Sequence, residues 1–303
     1  MISIIIPTYN EEKNIPLLYK SLNSVLGKYN YEIIFVDDGS IDNTFNIIED
    51  ISQKDKKVKV ISFQRNYGKS AALSAGFDNS KGDIIITLDA DLQDDPKEIP
   101  RFVEKIKNGY DLVVGWKFKR KDPLTKIIPS KFFNFLTSVL TKVKIHDINC
   151  GFKAYRKGVV KNINVYGELH RYIPILAFWK GYKIGEIKIE HHPRKYGKSK
   201  YGTSRLFKGF IDLITVKFLT TYGRKPLHLF GLIGFLCFFF GIISGLYLTV
   251  VWFIEKGIGD RPLLMLAVLL VVLGVQFISL GLLGEMVIHD RKKKNYQIRS
   301  KLE

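Results

Sequence analysis

Apolar residues fall along this chain in short, β-branched runs separated by stretches with helical spacing. Runs at 2–6, 32–36, 57–63, 84–88 and 111–115 predict buried strands. Between them, 15–26 and 43–51 repeat apolar residues at helical intervals, and the alanine- and serine-rich stretch 69–77 reads as another helix. Farther on, 168–179 reads as a helix and 182–192 as a strand. This alternation predicts an α/β domain with a mostly parallel sheet and right-handed crossovers.

Two further stretches have helical period with cations among the polar positions. One is 127–143, where Ile128, Phe132, Phe135, Leu136, Val139, Leu140 and Val143 recur. The other is 206–219, with Arg205, Lys208 and Asp212 along its polar side, close before a long apolar segment. Both are expected to be interfacial amphipathic helices. The segments 227–254 and 262–288 are nearly uncharged, and each can cross about 30 Å of hydrocarbon as a helix. Two C-terminal transmembrane helices are therefore expected. Their connection, 255–261, balances Lys256 and Arg261 against Glu255 and Asp260, whereas the tail 289–303 carries Arg291, Lys292, Lys293, Lys294, Arg299 and Lys301. The positive-inside rule then puts both termini in the cytoplasm around a short external loop. With Met1 running straight into the first strand, no signal peptide is expected. The expected organisation is a cytoplasmic α/β domain over 1–204, an interfacial helix and linker over 205–226, a multi-pass membrane anchor over 227–288 and a basic tail.

Composition changes this picture in one respect. A net charge of +18 calls for anionic partners. Two membrane spans and no nucleic-acid module favour an anionic bilayer and phosphate-bearing substrates over nucleic acid. Cys150 and Cys237 indicate neither a disulfide framework nor a zinc site.

The candidate chemistry lies just past the strand ends: Glu11 after the first, Asp37 and Asp38 after the second, Asp89 and Asp91 after the fourth. Parallel strands bring such ends to one edge, where open α/β sheets bind ligands. Asp89 and Asp91, two apart, can converge on one hard cation, with Gln93 adding a neutral oxygen; Mg²⁺ or Mn²⁺ shared with substrate phosphates suits that set. Gly68-Lys69-Ser70 and Gly197-Lys198-Ser199 imitate the end of a P-loop, but Phe63 and His192 stand where its first glycine belongs. His191 and His192 lie in an expected strand and face opposite sides, which argues against joint metal ligation.

Pro7-Thr8-Tyr9-Asn10-Glu11-Glu12, Val36-Asp37-Asp38-Gly39-Ser40 and Asp89-Ala90-Asp91-Leu92-Gln93-Asp94-Asp95-Pro96 together resemble the family-2 glycosyltransferases. More narrowly they resemble the polyisoprenyl-phosphate glycosyltransferases, the group of dolichol-phosphate mannose synthase and the undecaprenyl-phosphate sugar transferases. The likeness continues through Arg120-Lys121-Asp122-Pro123, Asp147 to Arg156 and Gly197-Lys198-Ser199-Lys200-Tyr201, over essentially the whole chain. It implies a glycosyltransferase A-type nucleotide-sugar-binding domain. In it Pro7, Tyr9, Glu11, Val36 and Asp38 line the base and ribose pocket, while Asp89, Ala90, Asp91 and Gln93 serve the diphosphate and its metal. Lys117, Lys131, Arg194, Ser199 and Lys200 are expected to hold the acceptor phosphate, from the basic, glycine-punctuated loop at 194–202 and nearby. At Lys117 relatives commonly carry arginine, and lysine lacks the planar fork that grips phosphate bidentately. Asp147 corresponds to an aspartate discussed as a base in such enzymes; here it is assigned to orienting the sugar or a basic side chain.

The expected activity is inverting, metal-dependent transfer of a hexose, glucose or mannose, from a UDP- or GDP-sugar to dolichyl or undecaprenyl phosphate at the cytoplasmic face. Phosphate monoesters are largely ionised at neutral pH, so no general base is required. A processive polysaccharide synthase is the enzymatic alternative, but neither its Q-x-x-R-W motif nor additional spans occur. A non-catalytic nucleotide-sugar-binding scaffold would predict damaged cleft carboxylates, and these are intact. A transporter lacks charged residues near mid-bilayer. Two packed spans leave room for homo-oligomers.

Overall fold

The computed structural model describes residues 1–118, 137–139, 141, 143–193, 205–223, 225–255 and 261–290. These form two compact units, Met1–Val216 and Lys217–Glu303. Most of the expected helix at 127–143 lies outside the described residues, as do Lys131, Arg194, Ser199, Lys200 and the tail 291–303.

The first unit is built on a seven-stranded sheet in the order β3-β2-β1-β4-β6-β5-β7. The strands are β1 (Ile2–Thr8), β2 (Tyr31–Asp37), β3 (Val58–Ser62), β4 (Ile84–Thr87), β5 (Leu112–Lys117), β6 (Lys153–Arg156) and β7 (Ile184–Ile189). β1 pairs in parallel with β2 and β4, β2 with β3, and β5 with β7. β6 is antiparallel to both β4 and β5. Since it reverses direction against each, β4 and β5 point the same way, and six strands deliver their C-terminal ends to one edge. Four residues long with a charge at each end, β6 carries no strand signal of its own; pairing on both sides makes it a strand.

Strands buried on both faces read as continuous apolar runs. Ile4, Ile5, Ile6, Ile33, Ile34, Phe35, Val36, Ile85 and Ile86 are accordingly sealed. In α1 (Ile15–Leu26), Ile15, Leu18, Leu22 and Leu26 make the buried stripe. α2 (Thr44–Lys54) buries Ile48, and α3 (Lys69–Asn79) packs Ala72, Leu73, Gly76 and Phe77 inward. After Asp91, a 3₁₀ turn at Pro96–Glu98 leads into α4 (Ile99–Lys107), the Asp95 carboxylate accepting from the Lys97 N–H at 3.0 Å. Phe102 of α4 stacks on Phe152 at 4.3 Å between ring centres. α5 (Lys157–Asn162) follows β6. The stretch expected as a helix over 168–179 divides into a 3₁₀ turn, Leu169–Arg171, and α6 (Ile173–Trp179), because Pro174 has no N–H to continue a helix through it.

At the edge opposite the strand ends, the buried carboxylate of Glu32 ties β1, β2, β3 and the turn before β4 together. It accepts from the Ser3 hydroxyl at 2.6 Å, the Lys81 N–H at 2.6 Å and the Lys59 ammonium at 2.5 Å. Burial works against the charge, but Lys59, Ser3 and Lys81 outweigh it and hold the carboxyl below its ordinary range. A depressed folded pKa stabilises above the unfolded value and loses that contribution as pH falls through the folded one. Glu32→Gln is therefore expected to lower the melting temperature of the detergent-solubilised protein at neutral pH, equivalent to about 2 kcal/mol, and the gap to wild type closes below about pH 4.

α7 (Arg205–Thr221) begins in the first unit, where Leu213 and Val216 are buried in the core and Ile211 and Ile214 are exposed. The helix expected over 206–219 thus has two apolar sides, one of them committed to the protein.

The second unit contains α8 (Pro226–Glu255) and α9 (Pro262–Asp290). Both have windows of high mean hydropathy, 2.4 and 2.8, of which only 11% is buried. At 1.5 Å per residue each is long enough to cross a bilayer. Glycines set their closest approach: a Cβ on Gly234 would lie 2.7 Å from the Gly274 carbonyl oxygen, and one on Gly274 2.8 Å from that of Gly234. Arg261 pairs with Glu255 across the connection.

Candidate active site

The ends of β1, β2 and β4 are in register, with Pro7 beside Val36, Thr8 beside Asp37, and Ile5 beside Thr87. Side chains knit the loops beyond them. Asn10, in the left-handed region at φ 51°, donates its N–H to Ser40 Oγ at 2.9 Å, and its Oδ1 accepts the Ile41 N–H at 2.9 Å. The Glu11 N–H donates to Thr44 Oγ1 at 2.8 Å. The two adjacent aspartates have separate tasks. Asp37 accepts from the hydroxyls of Ser40 and Ser62 and braces the β2 end. Asp38 accepts the Tyr67 N–H at 2.7 Å and the Gly68 N–H at 2.9 Å, holding the turn before α3. Gly39, at φ 69°, is required beside them because a Cβ would stand 2.5 Å from the Arg65 backbone.

These loops open on a cleft of about 320 Å³. β1 and its loop contribute Pro7, Thr8, Tyr9 and Glu11, and β2 contributes Asp38. Asp89, Ala90 and Asp91 come from the β4 end. Asn66 and Gly68 come from the turn before α3, Lys69 from its first position, and Glu168 and His170 from the 3₁₀ turn region. Of the residues expected in the nucleotide pocket, Pro7, Tyr9, Glu11, Asp38, Asp89 and Ala90 share this space. Val36 is sealed in the sheet and reaches the region through its carbonyl, which accepts from Thr8 Oγ1 at 3.2 Å.

Lys69 and Asp89 form an ion pair at 2.5 Å. Burial would raise the Asp89 carboxyl, but the ammonium groups of Lys69, Lys117 and Lys153 outweigh it and hold it at about 2. Gly151 packs directly on that carboxylate, where a Cβ would come within 2.4 Å of Oδ2, and the Thr87 hydroxyl donates to the Gly151 carbonyl at 2.8 Å. Asp91 is buried and accepts the Gln93 N–H at 3.2 Å, across Leu92 at φ 59°. The left-handed Leu92 turns the chain sharply between them, a conformation costing about 1–2 kcal/mol for a residue with a Cβ.

Other expected residues are placed elsewhere. Gln93 uses its backbone, its carbonyl accepting the His192 N–H at 2.9 Å, and Asp94 bridges to His191. Lys117, expected as a phosphate clamp, is partly buried and paired with the buried Asp94 at 2.9 Å. Burial opposes its charge, yet Asp94 keeps the ammonium firmly protonated. Asp147 is buried near Cys150 and Lys153 and is not among the described residues of the cleft wall. Lys153, brought down to about 8 by burial, donates to the Cys150 carbonyl. Lys69, Glu168 and His170 are cleft residues that the sequence does not single out. Gly68-Lys69-Ser70 is a visible signal, but in the sequence it reads only as an incomplete P-loop.

Asp89 and Asp91 supply two hard oxygen donors to one cleft, and among the described residues no group of three or more His, Cys, Asp and Glu is placed to hold a metal ion. This fits Mg²⁺ or Mn²⁺, which take one or two carboxylates and complete their shell with water and phosphate oxygens, and does not fit an all-protein metal cage.

A family model, Glycosyl transferase family 2, matches residues 3–163. Dodecaprenyl-phosphate galacturonate synthase of Rhizobium johnstonii is 38% identical over 98% of this chain and 92% of its own length. The chain belongs to glycosyltransferase family 2. Within it, the chain is a polyisoprenyl-phosphate glycosyltransferase. Undecaprenyl-phosphate 4-deoxy-4-formamido-L-arabinose transferase of Shewanella sediminis is likewise 41% identical over 94% of the chain and 86% of that protein. The A-type glycosyltransferase fold is shared with Mycobacterium tuberculosis glucosyl-3-phosphoglycerate synthase, solved with Mn²⁺, uridine diphosphate and phosphoglyceric acid. That likeness has a TM-score of 0.59 and 18% identity over 73% of this chain and 78% of the other. With its two apolar C-terminal helices, this family-2 glycosyltransferase is a membrane protein.

Proposed function

We propose that the protein transfers a modified sugar from a nucleoside diphosphate to undecaprenyl phosphate or a close polyprenyl phosphate at the cytoplasmic membrane face. The observation that carries this reading is the convergence of Asp38, Asp89, Asp91 and Lys69 on one cleft in a chain that also has two apolar helices long enough to span a bilayer. Glucose and mannose, the sugars expected from the sequence, are not those named for its relatives, which act with galacturonate or 4-deoxy-4-formamido-L-arabinose. A sugar of that kind, on uridine diphosphate as in the mycobacterial enzyme, is the donor we favour.

In the reaction, an ionised oxygen of the lipid phosphate forms a bond to the anomeric carbon. The bond from that carbon to the diphosphate oxygen breaks, and the nucleoside diphosphate departs with the electron pair. The resemblance to the family implies inversion. Pro7, Tyr9, Glu11 and Asp38 hold the base and ribose, and Asp89 and Asp91 face the diphosphate. A divalent cation bound to these two carboxylates supplies charge neutralisation to the leaving group. Asp89 is ionised throughout the physiological range, ready to accept that cation. The acceptor phosphate is met by Arg194, Ser199 and Lys200 of the loop 194–202 and by Lys131. α7 lies along the membrane with Ile211 and Ile214 in the interface and Leu213 and Val216 against the enzyme. Both termini are cytoplasmic.

Full-length protein in liposomes containing undecaprenyl phosphate, offered labelled UDP- and GDP-sugars with Mg²⁺, is expected to move label into the organic phase as a mild-acid-labile product, with EDTA abolishing transfer. Label appearing only in a water-soluble polymer would point to the processive synthase, and nucleotide-sugar binding without any transfer to a scaffold.

A further inference from the structure

We propose that His170 is a specificity-determining residue whose Nε2–H donates a hydrogen bond to an oxygen of the transferred sugar, a role that rests on the proposed nucleotide-sugar donor. His170 belongs to the 3₁₀ turn Leu169–Arg171 and lines the cleft beside Glu168, on an element separate from the strand-end loops. Ser70, at the start of α3, holds it twice. The His170 backbone N–H donates to Ser70 Oγ at 3.2 Å, and the same oxygen lies 2.9 Å from His170 Nδ1. A hydroxyl has one proton. The buried Ser70 hydroxyl has no other acceptor among the described residues, so its proton is assigned to Nδ1 and the ring hydrogen to Nε2.

The ring is also kept neutral. Burial, then the charges of Lys69, Arg171 and Lys153, push His170 well below its ordinary range. A neutral, orientation-locked imidazole contributes little to neutralising a diphosphate, a task that falls to Lys69 and to the cation that Asp89 and Asp91 would hold. It is suited to directional recognition of an uncharged or weakly charged oxygen. The simpler reading is a packed structural histidine. Such a residue would be expected to have both ring nitrogens satisfied within the protein. Here Nδ1 is satisfied, whereas Nε2 is bonded to no described residue and its ring forms part of the ligand space.

Position selects the sugar over the base. Lys69, the neighbour of Ser70, is paired to Asp89, so the residue that anchors His170 adjoins those assigned to the diphosphate. The anomeric carbon is one oxygen beyond the outer phosphorus, which brings the sugar ring to this wall. Glu168 supplies the complementary acceptor, its carboxylate oriented by Arg171 at 2.7 Å. One acceptor and one donor, fixed side by side, form a reader of sugar oxygens.

The test is calorimetric titration of full-length protein in nanodiscs, with Mg²⁺, using UDP, UDP-galacturonic acid and UDP-4-deoxy-4-formamido-L-arabinose. His170→Ala is expected to weaken the tighter nucleotide sugar about tenfold while UDP stays within about twofold. His170→Gln, whose amide N–H replaces the one at the ε position, recovers most of the loss, and Ser70→Ala falls between. UDP binding by each variant also reports that the cleft is folded. Equal weakening of UDP and nucleotide sugar, or unchanged affinity for both, overturns the assignment. If wild-type protein binds none of the three, the donor reading fails first, and the role of His170 falls with it.

Discussion

Asp91→Ala lowers the turnover of purified full-length protein about 1,000-fold, with membrane extraction and circular dichroism unchanged. The magnitude is that of removing one preorganised group from the centre of developing charge. Asp91 is buried at the cleft wall, held by the Gln93 N–H and aimed by the left-handed Leu92. Removing Asp89 instead would strand the Lys69 ammonium that pairs with it, which makes Asp91 the carboxylate of choice for testing the cation. Turnover surviving near wild-type levels in excess Mg²⁺ would sink the assignment of Asp91 to the diphosphate and its cation.

Gly151→Ala is the second large effect, about 100-fold on turnover, although the substitution adds one methyl group to a residue that bears no chemistry. Its Cβ would stand 2.4 Å from Asp89 Oδ2, 2.6 Å from Cγ and 2.7 Å from Oδ1, separations that van der Waals contact forbids. Gly151 cannot easily retreat, because its carbonyl accepts from Thr87 and the preceding Cys150 carbonyl accepts from the buried Lys153. The carboxylate must therefore move, breaking its geometry with Lys69 and with any cation shared with Asp91. A small displacement of a reacting constellation costs about this much in rate. The informative measurement pairs turnover with Mg²⁺ dependence: the variant should need a higher Mg²⁺ concentration for half-maximal rate, and an unchanged requirement would show that Asp89 tolerates displacement.

Much of the candidate site is legible in the sequence because its signals are local. A β-branched run ending in carboxylates is a pattern within ten residues, and it draws attention to Asp38, Asp89 and Asp91, which the fold gathers in one cleft. What escapes depends on partners far away in the chain. Lys69 meets Asp89 from 20 residues upstream, and His170 meets Ser70 across 100. Lys117 resembles a phosphate clamp by position, yet Asp94 claims its charge. β6 is an extreme case, a strand whose four residues predict nothing and whose pairing with β4 and β5 inserts it between them.

Residue order along this chain thus settled an α/β sheet, carboxylates at its strand ends and two apolar helices of bilayer length, since hydrophobic period and run length are properties of neighbouring residues. The antiparallel insertion of β6, the neutral imidazole on the cleft wall, the glycine against Asp89 and the lysine that keeps Asp89 ionised came from folding. Each is a contact between remote segments, and contacts of that kind leave no periodic trace for a single sequence to display.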